Sequence, residues 1–484
     1  MNFFVRLDRT SDETLHQQLV GQTRRAILHG QLPTGMRLPA TRALAADLGV
    51  SRNVIVAAFD ELISEGYLEG RVGSGTYVTD DLPLAPGRTL AAPTGTPRWL
   101  AHPIPVADTP PPTARDAIDF RLGTPDIAPL PLDIWRGAWR DVIGALPPTR
   151  YSPVTGDPDL RAAIAGYLGR ARGIACGPDD VIVTAGAAQA LDLIARATLA
   201  PGDTVGMEEP GYPEARNLFL AQQARLVPVP VDDDGLRVDC LPTGSAAPLL
   251  VYVTPSHQYP LGARLPVARR MALLAWAVAS DSLIVEDDYD SEFRFDAPPL
   301  PALAGLDEAG RVAYVGTFSK VLTPSLRAGY LVAPRPLRER IAGLTQLTAR
   351  LTPWPVQRAL AHFLASGELE RHIRRMRRHY AAKRAALHDA LAPVAPLARL
   401  QGLEAGLHAY LELRPDLDPA AIIARAAARG VIVYPLADYY IGAPDRGGIL
   451  IGYGGLELGD VVRGAGILAD VITEAYATSL FAGL

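Results

Sequence analysis

The chain has 484 residues, 48% of them hydrophobic and 20% charged, with a formal net charge of −5. That length exceeds one ordinary core and suggests two to four domains at roughly 150 residues each, and the slight acidity gives no global reason to expect a polyanion partner. Two cysteines, Cys176 and Cys240, exclude a disulfide framework and a cysteine metal cluster, and without an apolar run near the ~18 residues that cross a bilayer the expected location is the cytoplasm, with no membrane partner.

In a first zone, residues 1 to 79, apolar residues at Leu15, Leu19, Ile27 and Leu28 predict a helix. Thr41 to Leu48 reads as a second helix, Gly49 permits a turn, and Ser51 stands where it can cap a third that runs to Glu65. Arg52 and Asn53 then fall in the first turn, where a recognition helix offers side chains to base edges. Gly66 to Val78, with glycines at 66, 70, 73 and 75, predicts a two-stranded wing whose backbone can approach phosphate. Eight arginines against eight acids leave the zone neutral, but Met36 to Val56 carries Arg37, Arg42 and Arg52 against Asp47 alone. Such a basic edge suits phosphate contact, with a purely structural three-helix module as the alternative.

Residues 80 to 116 contain nine prolines and predict a semi-extended linker, because proline withholds a donor and resists helix. From 117 to 484, apolar runs such as Val181–Val183, Leu249–Val253, Leu283–Val285 and Val312–Val315 alternate with helix-length stretches. This pattern predicts an α/β domain with a largely parallel sheet covered on both faces.

Only two lysines occur, Lys320 and Lys383, so 47 Lys+Arg minus 2 leaves 45 arginines. Arginine stays charged, whereas a partly buried lysine can lose its proton and attack a carbonyl. Lys320 follows the run Val312–Val315 in a short polar turn and is the candidate covalent anchor. Lys383, among Arg374, Arg375, Arg377, Arg378 and Arg384, reads as an ordinary lysine on a basic helical face. Asp287 closes a strand, where a carboxylate suits a protonated pyridine nitrogen, and Tyr289 beside it suits the phenolic oxygen of such a ring. A solvated acidic loop from Glu286 to Glu292 is the competing reading. Ala187 and Ala188 open a helix whose free amides suit a phosphate, Tyr212 follows a turn and suits stacking on a planar ring, and Arg327 offers a second phosphate donor.

The first zone resembles the winged helix-turn-helix domain of the GntR superfamily in Arg37-Leu38-Pro39-Ala40-Thr41-Arg42, Leu48-Gly49-Val50-Ser51-Arg52-Asn53 and Glu65-Gly66-Tyr67-Leu68. The resemblance implies that Arg42, Ser51, Arg52 and Asn53 face double-stranded DNA, with Arg71 near the wing tip. Residues 117 to 475 resemble the fold type I, aspartate-aminotransferase-like enzymes that use pyridoxal 5'-phosphate, with a mostly parallel central sheet and a smaller α/β subdomain. That likeness implies Lys320 as the cofactor imine, Asp287 at the pyridine nitrogen, Tyr289 at the phenolic oxygen and Tyr212 stacked on the ring. Thr317, Ser319, Arg327 and the amides around Ala187 and Ala188 would hold the phosphate. Tyr151 would reach the phosphate of the other subunit, which makes the site that of a homodimer. Both halves in this order, with Glu286 to Phe293, Thr254 to Pro260 and Val72 to Val78 close to the family's own wording, resemble the MocR/GabR transcriptional regulators.

Three departures from working aminotransferases stand out. Tyr259 replaces the asparagine that contacts the cofactor ring, Leu450 replaces the arginine that binds the substrate α-carboxylate, and Ala187 and Ala188 supply no side-chain donors. Losing a bidentate guanidinium removes a charge-assisted pair and much of a carboxylate's orientation; Arg446 is too far along a strand to substitute, while Arg350 is a candidate replacement. The expectation is a regulator without physiological turnover that senses pyridoxal phosphate itself. An amine or amino compound as effector, and a true aminotransferase, are the alternatives.

Overall fold

The computed structural model describes residues 5–11, 13–80, 117–295, 301–348 and 352–482. Residues 81–116 of the linker expected at 80–116, and Arg350, lie outside them. The chain divides into two compact units, Met1–Pro103 and Ile104–Leu484.

In the first unit the helix Leu15–Leu28 starts at a capping box in which Thr14 accepts from the Gln17 amide and the Gln17 side chain reaches back. The helix Thr41–Leu48 stops at Gly49, whose φ of 63° is the left-handed conformation that ends a helix at little cost for glycine. Arg52–Ser64 follows, with Ser51 at the cap position but its hydroxyl making no capping hydrogen bond. Leu68–Arg71 and Gly75–Val78 pair antiparallel as the wing. Leu19, Leu44, Ile55, Leu62 and Val78 are fully buried between these elements, each worth about 1.5–3 kcal/mol of burial.

The second unit is built on an eight-stranded sheet in the order Val181–Thr184, Gly329–Val332, Val312–Thr317, Leu283–Asp288, Leu250–Val253, Thr204–Glu209, Arg225–Asp232, Gly235–Leu236. The five strands from Val312–Thr317 to Arg225–Asp232 run parallel to their neighbours, and the remaining pairings are antiparallel. Side chains alternate between two cores, with Val181, Val183 and Tyr314 on one face and Ile182, Ala313 and Val315 on the other. The continuous apolar runs are explained by this double coverage. A four-stranded antiparallel sheet, Ala398–Gln401, His408–Leu413, Gly448–Gly452 and Tyr434–Pro435, forms the smaller subdomain and packs with the helices Glu368–Leu391 and Leu458–Ala482. Among the described residues no helix is long and apolar enough to cross a membrane.

The reading of Lys383 is corrected. On Glu368–Leu391 the inward stripe runs Ile373, Met376, Tyr380, Lys383, Leu387, Leu391, a three-and-four spacing into which Lys383 falls while its arginine neighbours do not. Its Nζ donates to Asp126 Oδ2 at 2.7 Å and to the Gly454 carbonyl at 2.9 Å. A buried ammonium requires this kind of pairing.

Candidate functional site

The parallel strands Leu250–Val253, Leu283–Asp288 and Val312–Thr317 end on one edge of the sheet, where an α/β sheet ordinarily carries its ligand. A cavity of about 220 Å³ opens there, lined by Lys320, Asp287, Tyr289, Tyr212, Tyr259, Thr317, Ser319, Arg327, Ala187 and Ala188. Tyr252, Glu214 and Gly123, which the sequence reading did not single out, line it too.

The acidic run is not a solvated loop. Glu286, Asp287, Asp288 and Asp290 are all buried, and alternation along the strand gives them different partners. Glu286 accepts from the amides of Leu303 and Ala304. Asp287, on the opposite face, accepts from the Tyr252 hydroxyl at 2.8 Å. Asp288 turns back to Arg172 and to the Tyr314 hydroxyl.

Asp287 gives the test of fit for a pyridine cofactor. Burial pushes its carboxyl up to about 7, against the Tyr252 hydrogen bond that lowers it, and its Oδ1 is buried with no partner. An orphaned carboxylate oxygen on a cavity wall calls for a donor, and a protonated ring nitrogen is one. Lys320 Nζ donates to the Gly123 carbonyl at 2.7 Å. Gly123 has φ 71°, a conformation that favours glycine, and a Cβ there would stand 2.6 Å from that Nζ and force the amine to shift. Burial lowers the Lys320 pKa, with Asp290, Asp287 and Glu214 opposing. Lowering favours the neutral amine that attacks a carbonyl.

At the other end, the helix Ala187–Thr198 begins after Gly186, and the Arg327 guanidinium lies 3.5 Å from where a Gly186 Cβ would stand. The Thr317 hydroxyl donates to Ser319 Oγ at 2.9 Å. Unpaired first-turn amides, a guanidinium and two hydroxyls make a cradle of donors suited to a phosphate. Between the two ends the wall is aromatic: Tyr212 meets Tyr259 edge-on at 5.2 Å, and Tyr259 meets Tyr289 at 5.6 Å. The donor set therefore fits pyridoxal phosphate.

Leu450 is fully buried in Gly448–Gly452, opposite Tyr410 and Tyr434. Arg446 donates to the Val231 carbonyl at 3.2 Å and borders a different, larger cleft of about 390 Å³ with Arg264 and Arg399. That cleft is lined by neither lysine, whereas the smaller cavity is lined by Lys320 and, among the described residues, by one arginine, Arg327. Tyr151 is 82% exposed and does not line the cavity of its own chain.

On the winged unit Arg42, Ser51, Arg52 and Asn53 are exposed at the start of the second and third helices, and Arg52 Nε lies 3.5 Å from Thr41 Oγ1. The Arg37 guanidinium packs on Gly75 of the wing. Arg71 is less available than its place near the tip suggests. It pairs with Glu69 at 2.6 Å and Asp80 at 3.0 Å and lies over the Tyr77 ring.

Two family descriptions match the chain: "Aminotransferase class I and II" over residues 135–449 and "Bacterial regulatory proteins, gntR family" over residues 15–78. The probable rhizopine catabolism regulatory protein MocR of Rhizobium meliloti is 39% identical over 463 residues, covering 93% of this chain and 92% of its own length. The HTH-type pyridoxine biosynthesis transcriptional regulator PdxR of Corynebacterium glutamicum is 39% identical over 450 residues, covering 93% and 94%. Among solved structures, Pyrococcus horikoshii kynurenine aminotransferase matches with a TM-score of 0.70 and 29% identity over 74% of this chain and 91% of its own. LysN, the α-aminoadipate aminotransferase of Thermus thermophilus, matches with a TM-score of 0.68 and 27% identity over 75% and 94%.

Proposed function

The chain belongs to the MocR-type transcriptional regulators, a gntR-family winged helix followed by a class I and II aminotransferase domain that uses pyridoxal phosphate, and from that premise we propose that the signal it reads is pyridoxal phosphate itself, with control of its synthesis or salvage as the output. The observation that carries this reading is the imbalance of the cavity. It offers an amine at Lys320, an orphaned oxygen at Asp287 and a phosphate cradle, but among the described residues its one arginine is Arg327 at the phosphate end, and by resemblance Leu450 takes the position of the α-carboxylate arginine. A relative of similar length is named for pyridoxine biosynthesis, which agrees with this output.

When bound, the cofactor supplies an aldehyde for covalent attachment and a ring that accepts electron density. Burial keeps the Lys320 amine available, Asp287 holds a proton on the ring nitrogen, and Tyr289 contacts the phenolic oxygen. Tyr212 and Tyr259 exclude water from the ring, and Arg327, Ser319, Thr317 and the amides of Ala187 and Ala188 fix the phosphate. In a homodimer Tyr151 reaches the partner's phosphate, and two winged heads read half-sites whose spacing matches their own. Arg42, Ser51, Arg52 and Asn53 enter the groove, and Arg37 and Arg71 flank it. Ligand occupancy changes operator affinity through this paired arrangement. Without the carboxylate arginine, sustained transamination is not expected.

An amine or amino compound is the second reading, favoured by the Glu214 carboxylate on the cavity wall. Gel-shift titration of the chain's own upstream DNA, with and without saturating pyridoxal phosphate, tests the first. A shift in affinity is expected; an unchanged affinity contradicts it, and a response only when an amine is added moves the reading to the second. Arg52→Ala should weaken operator binding about tenfold at a fixed salt concentration, with or without cofactor.

A further inference from the structure

Behind Tyr289, away from the cavity, two residues share one nitrogen. His257 Nδ1 lies 2.9 Å from Asp290 Oδ2 and 3.0 Å from the Tyr289 hydroxyl. His257 is 2% and Asp290 1% exposed. A carboxylate accepts hydrogen bonds and donates none, so the short contact to Asp290 places the hydrogen on Nδ1. An Nδ1 that carries a hydrogen has no lone pair for the phenol. The Tyr289 oxygen then accepts a share of that N–H, and its own hydrogen is turned toward the cavity that Tyr289 lines.

The pair is held from several sides. Gly406 has φ 74°, and a Cβ there would stand 2.3 Å from Asp290 Oδ2 and from His257 Cε1. His257 Nε2 faces the Gly402 carbonyl at 3.4 Å, which offers the ring an alternative tautomer once the carboxylate is gone. Among the described residues, the other ionisable groups coupled to the pair include His408, whose ring is 4.9 Å from that of His257, Glu404, Asp287, Asp288, Lys320 and Tyr453. His408 is held neutral by burial first and by His257 second, and its Nε2 makes no hydrogen bond. Burial opposes a charge on His257, but Asp290, the Gly402 carbonyl and Glu404 together outweigh it and draw the ring's pKa upward; burial also pushes the Asp290 carboxyl up, and His257 opposes that by holding it as a carboxylate.

We propose that His257 and Asp290 are positioning residues that lock the Tyr289 hydroxyl as a hydrogen-bond donor into the cavity, toward the phenolic oxygen of the bound cofactor. The inference rests on the cofactor reading above and adds to it. A buried carboxylate selects the imidazole tautomer, and the tautomer selects the direction of a phenol. A donor on the ring oxygen stabilises its negative charge, and that charge is greatest when the neighbouring nitrogen of the covalent link has lost its proton. Removing the donor therefore raises the pH at which the bound chromophore changes colour.

The test is a pH titration of visible absorbance on the full-length, cofactor-loaded protein. Tyr289→Phe and Asp290→Asn should each raise the midpoint by about one pH unit, a tenfold change in the proton equilibrium. The double variant should match Tyr289→Phe alone, because both changes remove the same hydrogen bond. Asp290→Glu should restore part of the shift. If Asp290→Asn does not fold, His257→Leu against His257→Asn makes the same comparison: the leucine raises the midpoint, and the asparagine, which keeps a donor near Nδ1, brings it back. A midpoint that moves in Tyr289→Phe but stays put in Asp290→Asn overturns the proposal, as do additive shifts in the double variant. A wild-type protein with no visible band sinks the cofactor reading itself, a different result from a band with an unmoved midpoint.

Discussion

The surroundings of Lys320 and of Lys383 differ in what faces the amine, and that difference decides what each lysine does. Lys320 Nζ meets a neutral carbonyl, with the carboxylates of Asp287 and Glu214 on the walls of the same cavity, and burial lowers its pKa. Lys383 Nζ meets the Asp126 carboxylate directly. Burial works to raise the Asp126 pKa, but Lys383, the Ala128 amide and His379 together hold it below the usual range. Burial alone therefore predicts neither reactivity nor structure; a carboxylate in contact makes an ion pair, and a carboxylate across an empty space leaves room for a ligand.

Substitutions should separate the two lysines. Lys320→Ala should abolish the visible band and any change of operator affinity on adding pyridoxal phosphate, with thermal stability nearly unchanged in the absence of cofactor; retained regulation would make the aminotransferase domain a scaffold. Lys383→Met should do the reverse. It removes the buried ammonium from Asp126, which keeps its hydrogen bonds to His379 and the Ala128 amide, at a cost on the order of 1–3 kcal/mol in denaturant unfolding, while the folded fraction still binds cofactor with an unchanged spectrum. Loss of the spectrum without loss of stability would erase the contrast.

The pH dependence should also have opposite signs. Glu208, buried near the cavity and hydrogen-bonded to Thr254, has its carboxyl pushed by burial up to about 7. Its folded pKa lies above the unfolded one, so the native state holds the extra proton and stability falls as pH rises between about 4.5 and 7. Asp126 has its folded pKa lowered, so its contribution is present at neutral pH and lost as pH falls below the ordinary carboxylate range. Glu208→Gln should flatten the loss of stability between pH 5 and 8 by on the order of 2–3 kcal/mol. An unaltered profile would show that this carboxyl titrates normally.

Local signals were the legible ones. The three helices, the wing and the glycine stop at Gly49 follow from spacing and capping chemistry within a dozen residues. Lys320, Asp287 and Tyr289 could be read because each sits at the end of an apolar run that had to be a buried strand. Gly123 and Tyr252 were not, because their partners lie 197 and 35 residues away; for Tyr252 the one clue was a hydroxyl on a strand buried on both faces, which needs a partner. Lys383 was misread because its arginine neighbours masked the three-and-four stripe it belongs to. The pairing of Arg71 with Glu69 and Asp80 escaped a charge count over residues 1 to 79, which sums charges without pairing them and stops short of Asp80.

With two lysines in the chain, the covalent claim has a direct measurement. The protein is incubated with pyridoxal phosphate, treated with borohydride to make the linkage permanent, digested, and its peptides are weighed by mass spectrometry. The phosphopyridoxyl group is expected on the peptide carrying Lys320 and absent from the one carrying Lys383. A label on Lys383, or on neither lysine, would contradict the account.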